Sequence, residues 1–143
     1  MRKLNLAERK YTVPDAFEKV KRYLLNLDLP IIEEDAAEEL VVVRDEEAGI
    51  NRLVIDCEEP LVILEQRIMD VPGSPDRLFK RLLQMNRTLV HGAFVLDEAG
   101  VQVIFRDTLQ LETLDELELE SAIDALSLAM AEYGSELLDF AHA

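Results

Sequence analysis

The sequence predicts an α+β fold in which helices pack on an antiparallel sheet, in the order helix, three strands, helix, two strands, helix. Apolar residues recur every three to four positions in three segments, and five shorter segments are rich in β-branched residues bounded by turn formers. The 143 residues and 49% hydrophobic content suit one core of ordinary size. We therefore expect one domain over residues 1–143, with residues 1–12 as a flexible N-terminal segment.

A first helix is predicted over residues 13–27. Pro14 suits its first turn, and Pro30 ends it because the residue before a proline avoids the helical region. Five apolar residues recur at steps of four and three and so lie on one stripe: Val13, Phe17, Val20, Leu24 and Leu27. The helix is therefore expected to be amphipathic and half buried.

Three strands in a meander are predicted next, over residues 39–44, 51–57 and 61–71. Each segment is rich in Val, Ile and Leu, and the second one alternates between apolar and polar residues. Gly49 closes the first connection at a position that favours a positive φ, and Pro60 lies in the second.

A second helix is predicted to begin at Ser74-Pro75-Asp76. Ser74 is expected to cap the free amides, while Pro75 fits the first helical position and Asp76 lies near the positive end of the helix dipole. The exposed side of this helix is basic, because it carries Arg77, Lys80, Arg81 and Arg87.

A hairpin is predicted over residues 89–96 and 101–106. The connection 97–100 ends in Gly100, as in a type I turn with a bulge. His91 is expected to lie on the first strand of this hairpin.

The last predicted element is a long helix that starts with a capping box at Thr113 and Glu116 and runs to about Phe140. Gly134 interrupts it at a cost of about 1 kcal/mol relative to alanine. Seven apolar residues follow strict four-three spacing: Leu119, Ile123, Leu126, Met130, Tyr133, Leu137 and Phe140. This stripe either packs on the sheet or serves a partner helix.

Charge excludes several classes of partner. The formal net charge is -15, with 30 acidic against 15 basic side chains, so the chain repels nucleic-acid backbones and anionic membranes. The charge alternates along the chain: residues 1–27 carry +4, 28–65 carry -11, 66–106 carry +2 and 107–143 carry -10. Either these segments partly neutralise each other in the fold, or the acidic surface selects a basic partner.

The sequence also indicates a compartment. No apolar run approaches the length of a membrane span, and residues 1–6 do not resemble a secretory signal. The single cysteine excludes an intrachain disulfide. We therefore expect a cytoplasmic protein that binds neither nucleic acid nor membrane.

Motifs for chemistry are lacking, and we expect no enzyme activity, no catalytic residue, no cofactor and no metal site. His91 and His142 do not form a metal-binding pair, and the acidic neighbours of Cys57 disfavour a reactive thiolate, so Cys57 is expected to be a core residue. The loop from residue 45 does not match a calcium loop. The acidic residues 33–35 are interpreted as solvated surface.

The second helix carries more apolar residues than one sheet contact requires. Leu78, Phe79, Leu82 and Leu83 form two adjacent pairs, which is wider than a single buried stripe. A dimer contact would use the surplus, and packing within one chain is the alternative.

Four segments together carry a family likeness. They are LFKRLLQMN at 78–86, GAFVLDE at 92–98, VIFR at 103–106, and LQL at 109–111 leading into the long helix. In this order the chain, over about residues 13–140, resembles the type III secretion chaperone family, and within it the Tir-chaperone-like and YbjN-like bacterial proteins.

The resemblance implies a strongly twisted antiparallel sheet and a homodimer, with Phe79, Leu82, Leu83 and Phe94 at the dimer contact. It also implies a non-catalytic, acidic module that holds a segment of a partner protein, although it indicates no particular partner-binding residue. The alternative is a regulatory or sensory adaptor of the same fold that acts on a signalling or stress-response protein.

Overall fold

A computed structural model describes residues 16–143 of the chain. The predicted N-terminal segment 1–12 and the predicted start of the first helix lie outside these residues. The three described helices are α1 (Ala16–Asn26), α2 (Asp76–Asn86) and α3 (Glu116–Ala141). The six described strands are β1 (Ile31–Asp35), β2 (Leu40–Asp45), β3 (Ile50–Glu58), β4 (Leu61–Asp70), β5 (Ala93–Leu96) and β6 (Gln102–Gln110), and a 3₁₀ turn (Glu46–Ala48) joins β2 to β3.

The strands form one antiparallel sheet in the order β1-β2-β3-β4-β6-β5. Strands β2, β3 and β4 form the predicted meander, and β5 and β6 form the predicted hairpin. Because β6 pairs with β4, the hairpin extends the sheet and leaves β5 at its edge. The predicted α+β class with an antiparallel sheet is confirmed.

One face of the sheet forms the core together with the three helices. Its buried strand residues include Val41, Val43, Leu53, Ile55, Cys57, Val62, Leu64, Phe94, Val103 and Phe105. The buried helix residues of the same cluster include Phe17, Val20 and Leu24 of α1, Leu78, Leu82 and Met85 of α2, and Leu119, Ile123, Leu126, Tyr133 and Leu137 of α3. The four-three stripe of α3 therefore packs on the sheet, and Cys57 is the core residue that the sequence predicted.

The predicted order lacked one strand. Residues 33–35, which we interpreted as solvated surface, belong to β1, which pairs with β2 through the register of Glu34 with Val41. Ile31 is the only partly buried residue of β1, so this strand has neither an apolar run nor an alternating face to reveal it. A short, charged strand of this kind is typical of a sheet edge.

The capping predictions are wrong in detail. Pro75 rather than Ser74 occupies the N-cap position of α2, where no side chain makes a capping bond. Asp115 rather than Thr113 caps α3, because the carboxylate of Asp115 accepts a hydrogen bond from the Glu118 amide. Neighbouring Ser, Thr and Asp residues are all competent caps, so spacing alone does not choose among them.

The first strand of the hairpin is shorter than predicted. β5 begins at Ala93, and His91 lies in an exposed bend before it rather than on a strand. The cause is Gly92, whose φ of +73° interrupts an extended conformation.

Candidate partner-binding surface

The face of the sheet opposite the core is uncovered by the described helices, and we call it the open face. Strand register places alternate residues of β2, β3, β4, β5 and β6 on this face. Its partly exposed apolar residues include Leu40, Val54, Ile63, Val95 and Ile104. An apolar surface of this kind on an antiparallel sheet favours binding of another chain.

A shallow depression of about 410 Å³ lies on the open face and is lined by residues of β3, β4 and β6 alone. Val54, Ile68 and Ile104 form its apolar part, and Arg52 and Glu65 are among its polar lining residues. The depression therefore offers apolar contact area with charged groups at its margin.

Two ion pairs cross the strands of the open face. The guanidinium of Arg52 donates two hydrogen bonds to the carboxylate of Glu33, at 2.9 and 3.0 Å, and this contact lowers the pKa of Glu33. The pair spans β2, where Val42 is only 3% exposed. Arg106 donates to Glu65 across β6 and β4. The two pairs hold four charged side chains of the open face in orientations that cross the strands.

One end of the open face is acidic. Asp56 lies in register between Leu40 and Ile63, and its Oδ1 atom is buried without a hydrogen-bond partner. Burial raises the pKa of Asp56, and the charges of Glu58 and Glu38 raise it further. A carboxylate in this position carries an uncompensated negative charge that a cation of a partner would neutralise.

Asp56→Asn is expected to raise the melting temperature at neutral pH, because it removes a partly buried charge from among carboxylates. Since the pKa of Asp56 is higher in the folded than in the unfolded chain, the native wild-type protein takes up a proton as the pH falls and regains stability. The difference between variant and wild type should therefore shrink as the pH falls through the raised pKa. Thermal unfolding at neutral and acidic pH measures the melting temperatures of the variant and the wild type. A difference between them that does not change with pH would contradict this account.

The two edges of the sheet differ in the hydrogen bonding of their outward-facing backbone groups. At β5, the side-chain amide of Asn86 donates to the carbonyl of Phe94 at 3.0 Å and accepts from the Phe94 amide at 2.7 Å. This carboxamide occupies the place that a further strand would take. Among residues 16–143, no side chain bonds the backbone of β1 in this way, so β1 is the more accessible edge for strand addition.

The residues predicted for a dimer contact lie at different depths. Leu83 is 72% exposed on α2, and Phe79 is partly buried against the core. Leu82 and Phe94 are buried within the chain, where the Phe94 ring packs edge-on against Phe105 at 5.7 Å. Sequence spacing alone could not separate Leu82 from Leu83, because the two leucines are adjacent on the helix and differ only in the direction of their side chains.

Residues 16–143 provide neither a metal site nor a membrane-crossing helix. No group of three or more His, Cys, Asp or Glu side chains in this range is arranged to hold a metal ion. No helix in this range combines the length and apolar character of a membrane-crossing segment.

The sequence matches a known protein family. The model of the protein family CesT_Tir_1 matches residues 13–143 of the chain. A search of curated proteins found no significant match.

Comparisons of structure give several matches of low sequence identity. YbjN of E. coli, described as a putative transcription regulator, has a TM-score of 0.64 and 12% identity, over 84% of this chain and 92% of YbjN. A chain of the heterodimeric ExoU-SpcU complex, from the type III secretion system of Pseudomonas aeruginosa, has a TM-score of 0.63 and 20% identity, over 85% and 97%. A chain of the HopA1-SchA chaperone-effector complex has a TM-score of 0.60 and 12% identity, over 99% and 100%. At these identities the likeness concerns the fold.

Proposed function

Because the chain belongs to the CesT_Tir_1 family, we propose that it is a non-catalytic, cytoplasmic module that holds a segment of a partner protein. The observation that carries this proposal is the open face, on which partly exposed apolar residues border the uncompensated carboxylate of Asp56. The fold it shares with the chaperone-effector complex of HopA1-SchA supports the same role.

The partner segment is extended and basic. An extended segment satisfies its backbone by adding to a sheet edge, and the Asn86 carboxamide at β5 leaves β1 as the accessible edge. Negative charge lies at the acidic end of the open face, where Glu38, Asp56 and Glu58 lie together, and β1 ends beside it at Asp35. Binding should therefore weaken as salt is added.

Affinity capture with the purified protein, followed by mass spectrometry, tests the proposal when two variants are run beside the wild type. Glu58→Lys places a cation next to Asp56 and should reduce capture of the partner severalfold, because it reverses the charge at the acidic end of the open face. Glu98→Lys makes the same change of charge in the β5–β6 turn and should leave capture unchanged.

A partner captured equally well by both variants would place the binding surface elsewhere. Hydrogen exchange of the captured complex adds a second measurement, since strand addition at β1 should protect the outward-facing amides of β1 and leave β5 unchanged. The absence of any specific partner would remove the proposal itself.

A second candidate function is a regulatory adaptor that acts on a signalling or stress-response protein. The fold shared with YbjN, described as a putative transcription regulator, favours it. Limited proteolysis of the captured partner separates the two functions. A partner held extended is cleaved within the complex, whereas the partner of an adaptor remains folded and resistant.

We also propose that the protein acts as a homodimer in which α2 takes part in the contact. Leu83 supplies the exposed apolar side chain, and Phe79, Leu82 and Phe94 support the helix from beneath. This arrangement assigns the surplus of apolar residues on α2 to two roles, packing and association.

A further inference from the structure

Helix α1 begins at the same end of the sheet as the acidic end of the open face. Lys19, in the first turn of α1, donates from its Nζ to the carbonyl of Leu111 at 3.3 Å. The Leu111 amide in turn donates to the carbonyl of Pro60, in the β3–β4 connection, at 3.0 Å. The chain that precedes Ala16 therefore enters the fold where β3 ends and β4 begins.

This end of the sheet carries an excess of negative charge. Residues 34–39 and 56–60 contain seven acidic and no basic side chains. Lys21 of α1 donates to Glu34 at 3.3 Å, whereas the buried Oδ1 atom of Asp56 has no hydrogen-bond partner. The surface therefore favours a basic occupant.

An apolar strip lies along the edge strand β1. Leu25 of α1 is 75% exposed, and Ile32 of β1 is 41% exposed. Leu25 lies one turn beyond Lys21, and Ile32 lies two residues before Glu34. Because the connection 27–30 reverses the chain, both apolar residues lie along the junction of α1 with β1. A segment at this edge would contact apolar side chains along β1 and carboxylates where α1 begins.

The N-terminal residues 1–12 have the complementary pattern. They carry four basic side chains and one acidic side chain. Leu4 and Leu6 alternate with polar residues, as in a segment with one apolar side. Arg9 and Lys10 follow and precede the start of α1 by seven and six residues, a length that reaches at most about 20 Å. The basic pair is thus tethered near the acidic end, and the two leucines are free to reach β1.

We propose that residues 1–12 occupy this surface of their own chain, with Leu4 and Leu6 at the junction of α1 with β1 and with Arg9 and Lys10 at the acidic end. This inference rests on the proposed function and adds its regulation. The N-terminal segment has the basic character proposed for the partner, so the partner must displace it in order to bind.

Tethering gives the segment an advantage over free peptides. A segment on a short linker acts at an effective concentration of about 1 mM. If its own contact has a dissociation constant of about 0.1 mM, the surface is occupied in about nine chains of ten, which lowers the apparent affinity for any competitor about tenfold. The segment would therefore exclude weakly bound basic sequences and admit only a tightly bound partner.

Competition with a fluorescent peptide of residues 1–12 tests the proposal by anisotropy at low salt. The full chain with Arg9→Glu and Lys10→Glu should bind the peptide at least about tenfold more tightly than the wild type, because its own segment no longer competes. Adding Glu58→Lys should remove most of this binding, since it reverses charge at the acidic end. Unlabelled wild-type protein should not displace the peptide, because its segment stays on its own chain.

The matched control combines Arg77→Glu with Lys80→Glu on α2. It makes the same change of net charge beside β5, where Asn86 of α2 bonds Phe94 at the opposite edge of the sheet. This control should bind the peptide as weakly as the wild type, and circular dichroism should show every variant folded.

Three results would overturn this inference: equal affinity of the wild type and the Arg9→Glu, Lys10→Glu variant for the peptide, no binding by either, or displacement of the peptide by the wild-type chain. Capture of a partner that Glu58→Lys reduces would leave the proposed function standing in each case. Competition by the peptide without any captured partner would instead overturn the proposed function and the regulatory role, and would leave only a contact within the chain.

Discussion

Replacing Gly92 with alanine is expected to lower the free energy of unfolding by about 2–5 kcal/mol. The φ of Gly92 is +73°, which costs a residue with a Cβ about 1–2 kcal/mol. The added Cβ would also lie 2.5 Å from the ring of Phe105, a core residue that is only 1% exposed, and overpacking of this kind costs about 1–3 kcal/mol. Urea denaturation followed by circular dichroism measures the change.

Gly100→Ala separates the two contributions. Gly100 has the same φ of +73°, but a Cβ there would meet nothing within 4 Å. Its loss should be about 1–2 kcal/mol, from the backbone alone. If both variants lose the same free energy of unfolding, the Phe105 ring moves aside without destabilising the core, which would contradict the packing argument.

Gln66→Leu is expected to cost about 2–3 kcal/mol, because it leaves backbone groups without their partners. Gln66 is 2% exposed within the core, where its Nε2 donates to the carbonyl of Gly49 at 3.0 Å and its Oε1 accepts from the Asn51 amide at 3.1 Å. The side chain thereby ties β4 to the start of β3. Chemical denaturation gives the loss, and Gln84→Leu on the exposed side of α2 should change stability by no more than about 0.5 kcal/mol.

A second substitution at the same position distinguishes hydrogen bonding from packing. Gln66→Glu should be less stable than the wild type at neutral pH and should recover as the pH falls. A neutral carboxyl can donate to Gly49 and accept from Asn51, whereas a buried carboxylate repels the Gly49 carbonyl. A stability deficit that does not change with pH would argue against this account.

Local sequence patterns were sufficient to predict most of the helices and strands. The stripe of α3 was predicted residue by residue, because apolar residues at steps of four and three have one buried direction on a helix. The meander and the hairpin were predicted because β-branched runs end at turn residues such as Gly49 and Gly100. Strand β1 was missed because its pairing with β2 comes from register across the sheet, which its own composition does not reveal.

Local sequence patterns predicted less of the candidate partner-binding surface. The sequence located negative charge in residues 28–65, and it predicted the family that the CesT_Tir_1 match confirms. It did not predict the open face, because alternation shows that a strand has two faces without showing which one the helices cover. Among the residues predicted for a dimer contact, spacing grouped Leu82 with Leu83, and only the direction of each side chain separates the buried residue from the exposed one.

The sequence by itself determined the class of fold, the family and the sign of the charge, because these depend on composition and on contacts between residues close in the chain. Tertiary structure alone decided that Asn86 closes the edge at β5, that Asp56 is left uncompensated, and that residues 88–91 and α3 together line an acidic groove. Each of these features joins residues that are brought together by the pairing of strands and the packing of helices. No local pattern encodes that proximity.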